Sequence, residues 1–431
     1  MLTYDNAIDF LYTQIPMFQR MGANAYKPGL DTSIALDKAF GNPHSRFPSI
    51  HIAGTNGKGS TAHTLAAILQ SAGYKVGLYT SPHLVDFRER IRINGEMISH
   101  SAVVDFVNRY RALQLDCQPS FFELTMTMAF DYFAKEKIDI AVIETGLGGR
   151  LDSTNIISPI LSIITNISFD HTAFLGDTLT AIASEKAGII KRNTPVVVGE
   201  ASGDVKQLFL DKSIEMNSPI KFADENKAFS SAELTPDGYL YHNTPFGNIT
   251  GELTGECQQK NTATILSAIE QLRLIGWEIT PDAVKQGFAN VCNLTGLTGR
   301  WMELQQSPRV VCDTGHNVGG WEYLSRQLSQ IKGKLHMVIG FVNDKDISHI
   351  LDMMPRNATY YFTRADIPRA LPANEVKTIA EENGLSGKAY STVAEAYNNA
   401  LTNATSDDTI FIGGSTFIVA DLLSHLNSEL S

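Results

Sequence analysis

The chain has 431 residues, of which 43% are hydrophobic and 19% charged, and 46 acidic against 35 basic side chains give a net charge of -11. A chain this long implies about two to three domains and buries roughly three quarters of its unfolded surface. The composition excludes a disordered chain or a coiled coil, and the acidic balance argues against a general nucleic-acid surface, which needs a basic excess, though not against a local pocket for a small anion. Cys117, Cys257, Cys292 and Cys312 form no CxxC pair, against a disulfide framework or a thiolate zinc site, and Cys312 lies in an apolar run that reads as core. The N-terminus, MLTYDNAIDFLY, lacks a basic n-region, so no signal peptide is expected, and no apolar stretch is long enough for a membrane span. A cytoplasmic protein without membrane association is expected.

In chain order, short apolar runs predict strands at Ser49–Ala53, Val76–Thr80, Asp139–Ile143, Leu161–Asn166 and Pro195–Gly199. Helical patterns lie between them at Ser60–Ser71, Ser101–Leu113, Phe122–Lys135 and Leu179–Lys191. Such alternation predicts a mostly parallel sheet covered on both faces. From Ser218 to Glu256 turn residues dominate and short antiparallel strands are expected, followed by helices at Asn261–Ile275 and Pro281–Ala289. The glycines and threonines of Asn293–Arg300 read as a linker. The alternation then restarts, with strands at Arg309–Asp313, Leu335–Gly340, Thr359–Phe362 and Thr409–Gly413 and helices at Gly320–Ile331, Asn374–Glu382, Val393–Thr402 and Phe417–Leu426. The prediction is two α/β domains, 1–295 and 296–431. The first is a mostly parallel nucleotide-binding domain with a small antiparallel sheet, the second a smaller Rossmann-like domain.

The strongest local signal is Ala53-Gly54-Thr55-Asn56-Gly57-Lys58-Gly59-Ser60, between a strand and a helix. Glycines let the backbone approach a phosphate closely, amide groups at a helix N-terminus face the anion, and Lys58 neutralises it. The strict P-loop pattern fails, because Ile52 stands where glycine is expected and Gly59 where a hydroxyl is expected, so magnesium would rely partly on other residues. Three further strand ends carry polar or glycine-rich residues: Ser81 before Pro82, Glu144 before Gly146-Leu147-Gly148-Gly149, and Asp170-His171. In an open parallel sheet ligands bind beyond the carboxyl ends of the strands, and a hydroxyl and a carboxylate there suit magnesium. Taken singly, Ser81 could start a turn and His171 could be a satisfied loop histidine. Glu144 at the mouth of an apolar strand is more telling. Lys186 borders the apolar face of LTAIASEKAGIIK. The residues alone favour a snorkelling surface lysine over a desolvated amine able to form a carbamate. Asp313-Thr314-Gly315-His316-Asn317 forms a strand-end cluster in the second domain, unless it is only a helix cap.

The segments HIAGTNGKGS, TSPHLVDFRERIRING, SFFELTMTMAF, ETGLGGRLDSTN, ISFDHTAFLGDTLTAIASEKAGIIK and TGRW…CDTGHN, in this order, resemble the folylpolyglutamate synthases and bifunctional dihydrofolate synthases of the Mur-ligase-like superfamily. The resemblance implies a P-loop ATPase domain, a Mur-ligase-like C-terminal domain and ATP-dependent amide formation between L-glutamate and dihydropteroate or folates, through an acyl phosphate. It implies that Gly54 to Ser60, and chiefly Thr55, Asn56, Gly57 and Lys58, cradle ATP, with Asn261, Arg300, Asp313 and His316 also at the nucleotide. One Mg2+ would sit on Ser81 and Glu144. A second would sit on Glu144, His171 and a carbamylated Lys186, which reverses the residue-only reading of that lysine. Lys58, Glu144, His171 and Lys186 are thereby the catalytic set. Ser120, Phe121, Phe122, Glu123, Leu151, Asp152 and Ser153 would contact the pterin-bearing substrate, with Asp152 as a polar anchor. The resemblance further implies movement of the C-terminal domain about a flexible NLTGLTGR segment.

Departures are Thr298-Gly299-Arg300 for Pro-Gly-Arg, Val318 for a proline after His316-Asn317, and Cys257 for the usual His or Tyr. A monomer with only small-molecule partners is expected. The competing readings are a monofunctional folylpolyglutamate synthase, a UDP-sugar-peptide ligase and a nucleotide-dependent switch.

Overall fold

The computed structural model describes residues 2–16, 29–343 and 347–430. The first sheet contains β1 (Ser49–Ala53), β2 (Val76–Tyr79), β3 (Ile91–Ile93), β4 (Glu96–Met97), β5 (Ile140–Glu144), β6 (Leu161–Ile164), β7 (Val196–Val198) and β8 (Ile220–Phe222). Their spatial order is β4-β3-β2-β5-β1-β6-β7-β8, parallel throughout except for β3 and β4 at one edge. The central strands are wholly buried, as mostly apolar runs require when helices cover both faces, with His51 and Ser162 as buried polar interruptions. Side chains alternate between the two layers. Val142 packs with Leu65, Ile68 and Leu266 on one face, while Ala141 and Ile143 pack with Met126, Phe130 and Phe133 on the other. β1 is where the strand order reverses, because β5 and β2 lie to one side of it and β6 to β8 to the other. The crevice at such a reversal is the ligand site of open α/β sheets.

The expected antiparallel piece contains β9 (Ser231–Thr235), β10 (Gly238–Thr244) and β11 (Gly247–Gly251), a sheet of its own. The expectation for Ser218–Glu256 is corrected at its start, because β8 continues the main sheet parallel to β7. The second sheet has the order β12-β13-β17-β14-β15-β16, formed by β12 (Met302–Gln306), β13 (Arg309–Cys312), β14 (Leu335–Ile339), β15 (Ala358–Phe362), β16 (Gly387–Ala389) and β17 (Thr409–Gly413). Only β12 runs antiparallel to its neighbour. Cys312 is fully buried in this core, as expected. The chain divides into two compact units, one of residues 1–83, 87–252 and 258–297 and one of 84–86, 253–257 and 298–431. Among the described residues no helix is long and apolar enough to cross a membrane.

Other expectations are corrected. The helix beginning at Leu179 ends at Ala187, not Lys191, because Gly188 caps it and Ile189 and Ile190 turn into the core. The segment Asn293–Arg300 is no loose linker. Val291–Thr295 is helical, Gly296 ends it in the left-handed region, and both Thr295 and Leu297 are buried. The helix expected from Asn261 begins at Gln258. The helices Tyr4–Thr13 and Asp31–Ala39 and the strands β3, β4, β12 and β16 were not foreseen.

Candidate active site

The sheet register brings the chemically interesting residues to one edge. Ile52 of β1 pairs with Glu144 of β5, Ala53 with Ile164 of β6, and Tyr79 of β2 with Ile143 of β5. The residues following β1, β2, β5 and β6 therefore leave the sheet at the same level.

The loop after β1 is stitched to the loop after β6. Thr55 N–H donates to the Asn166 carbonyl at 3.0 Å, and Asn56 N–H to Asn166 Oδ1 at 2.8 Å. Thr55 Oγ1 donates to the Ser168 carbonyl and accepts its N–H, both at 3.1 Å, and Thr165 Oγ1 donates to the Asn56 carbonyl at 2.6 Å. Gly57 takes φ +82, the left-handed region, at the entrance to the helix Lys58–Ser71. A Cβ there would lie 2.2 Å from Asn261 Oδ1, so only glycine fits beneath that amide. Asn261 Nδ2 donates to Gln258 Oε1 at 2.8 Å, and Gln258 Nε2 to Ser60 Oγ at 3.3 Å. Asn261, far from the glycine-rich motif in sequence, is thus brought onto it.

Two lysines converge on one oxygen. Lys58 Nζ donates to the Gly54 and Thr55 carbonyls at 3.1 Å, and Lys186 Nζ donates to the same Gly54 carbonyl at 2.9 Å. Lys186 is 3% exposed, which corrects the reading as a snorkelling surface lysine. Burial, and next the neighbouring Lys58 ammonium, pull it down to about 7, against the opposing pull of Asp170 and Asp152. A substantial fraction of the amine is therefore neutral near neutral pH.

Glu144, also 3% exposed, closes β5, and its Oε2 accepts the Ser81 N–H at 3.1 Å. His171 sits in the left-handed region at the entrance to a short turn of helix. Its N–H donates to Asp170 Oδ1 at 2.8 Å and its Nε2 is 3.9 Å from Asp170 Oδ2. Among the described residues no three His, Cys, Asp or Glu side chains cluster as a metal cage. The Glu144 carboxylate is a buried hard-oxygen donor just before the loop that follows β5, with the Ser81 backbone N–H against it. This fits a cation such as magnesium, which keeps several waters and uses one or two carboxylates.

The glycine-rich turn after β5 packs backbone against backbone on the helix bearing Lys186. A Cβ on Gly149 would lie 2.8 Å from the Glu185 carbonyl and 3.0 Å from that of Lys186, and Arg150 N–H donates to the Glu185 carbonyl at 2.7 Å. Asn155 Nδ2 closes this joint by donating to the Arg150 and Gly188 carbonyls at 3.0 and 3.1 Å. Ser120 and Glu123 form a capping box at the start of the helix Phe121–Glu136, and Glu123 also accepts from Ser33 Oγ at 3.3 Å. Both side chains thereby have a structural task. Leu151 and Ser153 flank Asp152, whose carboxylate faces inward and holds the turn after β5.

In the second unit Asp313 is partly buried. Its Oδ1 accepts Gly315 N–H and its Oδ2 Trp301 N–H, both at 2.7 Å. Burial pushes its carboxyl up, opposed first by the Arg300 guanidinium. His316 Nδ1 donates to the Thr314 carbonyl at 3.0 Å, and Asn317 caps the helix Val318–Ser329 by accepting Gly320 N–H at 2.9 Å. The simple capping reading is thus correct for Asn317, while Asp313 instead organises the turn between Trp301 and Gly315.

The family description "Mur ligase middle domain" matches residues 52–269, and "Mur ligase, glutamate ligase domain" matches 299–416. A dihydrofolate synthase/folylpolyglutamate synthase of Escherichia coli is 34% identical over 88% of this chain and 87% of its own. The chain belongs to the dihydrofolate synthase/folylpolyglutamate synthase family of Mur ligases. An Escherichia coli FolC structure in complex with DHPP and ADP superposes with a TM-score of 0.85 at 29% identity, covering 100% of this chain and 99% of that one. A Yersinia pestis bifunctional folylpolyglutamate synthase/dihydrofolate synthase complexed with AMPPNP and Mn gives 0.83 at 28% identity over 99% and 98%. For a dihydrofolate synthase/folylpolyglutamate synthase, the readings as a switch without catalysis or a UDP-sugar-peptide ligase give way. Thr165, Asn166 and Ser168, which hold the phosphate loop, and His51, Thr154 and Asn155, behind the Glu144 turn, were not singled out from sequence. Their only signal there is position, within or just beyond the ends of parallel strands.

Proposed function

We propose that this ligase joins L-glutamate to dihydropteroate and to tetrahydrofolates with cleavage of ATP. The observation that carries the reading is the sharing of the Gly54 carbonyl by Lys58 and Lys186 at the same sheet edge as the buried Glu144. The amides of Gly54 to Ser60 and the Lys58 ammonium hold and neutralise the triphosphate. A carboxylate oxygen of the acid attacks the γ-phosphorus. The bond to the β-phosphate oxygen breaks, leaving ADP and an acyl phosphate. The glutamate amine then attacks the acyl carbon, the C–N bond forms, phosphate departs and the nitrogen loses a proton. Activation is needed because a free carboxylate is a poor electrophile, and the site contributes positioning and charge neutralisation.

Ser81 and Glu144 would hold one magnesium, and Glu144, His171 and Lys186 a second, with Lys186 as the carbamate that a neutral amine forms with carbon dioxide. The metal, when bound, supplies charge neutralisation at phosphate oxygens. Asn261, Arg300, Asp313 and His316 are assigned to the nucleotide, and Phe121, Phe122 and Leu151–Ser153 to the pterin-bearing acid. The reading includes a monomer in the cytoplasm acting on small molecules, consistent with a net charge of -11.

Purified protein with ATP, magnesium and labelled glutamate should form labelled conjugates with dihydropteroate and, separately, with tetrahydrofolate. Conjugates with tetrahydrofolate alone would make it a monofunctional synthase, and none with either acid would end the proposal. Arg300→Ala should raise the ATP KM or lower kcat while leaving the melting temperature in place. Unchanged kinetics would remove Arg300 from the site.

A further inference from the structure

Behind the mouth of β5 runs a buried chain of hydrogen bonds with a fixed direction. Asp152 Oδ2 accepts the N–H groups of Gly146 and Leu147, both at 2.8 Å. Its Oδ1 accepts the Thr154 N–H at 3.0 Å and the Thr154 hydroxyl at 2.5 Å. A carboxylate has about four acceptor positions, and all are taken. The Thr154 hydroxyl has one proton, which goes to Asp152. Its 2.8 Å contact with His51 Nε2 is therefore one in which the imidazole donates. This fixes the tautomer with the proton on Nε2, and the buried Nδ1 has no hydrogen-bond partner among the described residues. His51 lies fully buried on β1, the strand that leads into the phosphate loop.

The turn held by this chain touches both segments assigned to the acid. A Cβ on Gly146 would lie 2.6 Å from Phe122 Cζ, so the Phe122 ring rests directly on the turn. Leu151 and Ser153 flank Asp152 itself. An isolated Thr-to-Asp contact could be mere local capping. Here the threonine is 0% exposed and joins the nearby Asp152 carboxylate to a strand residue that lies 103 positions before the threonine.

We propose that Thr154, backed by His51, is a positioning residue that acts through Asp152 to fix the Gly146–Leu147 amides and with them the seat of the pteroate-type acid. This deepens the functional reading above and rests on it. The test compares Thr154→Val, which keeps the shape and removes the hydroxyl, with Thr154→Ser, which keeps the hydroxyl. The dihydropteroate KM of the valine variant should rise about tenfold with the ATP KM unchanged, and serine should restore it. Thr154 loses the assignment if valine leaves the dihydropteroate KM in place, if serine behaves like valine, or if all KM values move together with a falling melting temperature. Should the valine variant not fold, His51→Leu, whose side chain has no donor for the Thr154 hydroxyl, must raise the dihydropteroate KM alone. A wild-type protein inactive on dihydropteroate would sink both the functional reading and this one. An active wild type with an unaltered valine variant sinks only this one.

Discussion

Lys186→Met should fold normally and lose about 10²–10³-fold in kcat, the scale seen when one group stabilising transition-state charge is removed. The fold should survive because the lost hydrogen bond is replaceable. The Gly54 carbonyl keeps the Lys58 ammonium at 3.1 Å, and a methionine fills the same buried volume without the cost of desolvating an amine. Lys186→Arg separates two roles. A guanidinium stays charged and cannot become a carbamate. If Lys186 served as a plain cation, arginine would restore part of the turnover. On the present reading it restores none. Steady-state kinetics with melting curves decide the matter, and near wild-type turnover in the methionine variant would remove Lys186 from the catalytic set.

The second large effect concerns acid stability. Burial, and next the positive charge of Lys191, hold His51 down to about 3 from an ordinary 6.5. Above 6.5 the imidazole is neutral in both folded and unfolded chains and contributes nothing to the pH dependence. Between 6.5 and 3 the unfolded chain takes up a proton that the folded one refuses, so stability falls as the pH falls. Below 3 the effect is complete. The slope is about 1.4 kcal/mol per pH unit, or about 4–5 kcal/mol over the whole window. Other groups titrate in the same range, so the measurement is a difference. By chemical denaturation at pH 6.5 and 4.5, wild type should lose roughly 2 kcal/mol more than His51→Gln. Equal losses would mean that His51 protonates in the folded protein.

These two residues also mark the limit of what the sequence makes legible. The strand run containing His51 is plain, because β1 is buried on both faces and Ile50, Ile52 and Ala53 are apolar. The role of the imidazole is not, because its partner Thr154 is 103 residues away. Lys186 is similar. Helical periodicity places it at the border of an apolar face, but what covers it is a carbonyl 132 residues earlier. The glycine-rich turn after β1 is legible because its glycines, lysine and flanking strand and helix are contiguous in sequence. Ser81 and Glu144 are legible because strand ends share an edge. Composition misleads at Val291–Thr295, where residues typical of a linker become helical because Thr295 is buried and its hydroxyl meets His63 Nδ1 at 2.8 Å. β12 escapes notice because an edge strand reading Met-Glu-Leu-Gln-Gln has almost no apolar signal and exists through its pairing with β13.

The stitching of the phosphate loop to the residues beyond β6 has a consequence for how the protein matures. Asn56 and Asn166 are 110 residues apart, so the loop cannot be completed from its own neighbourhood. Closing so long a span is entropically costly until the intervening strands have docked. A nascent chain released before β6 would carry the whole glycine-rich motif and still lack the scaffold that shapes it. With the triphosphate assigned to this loop, nucleotide capture becomes a late event in biogenesis and a readout that the first sheet has been assembled.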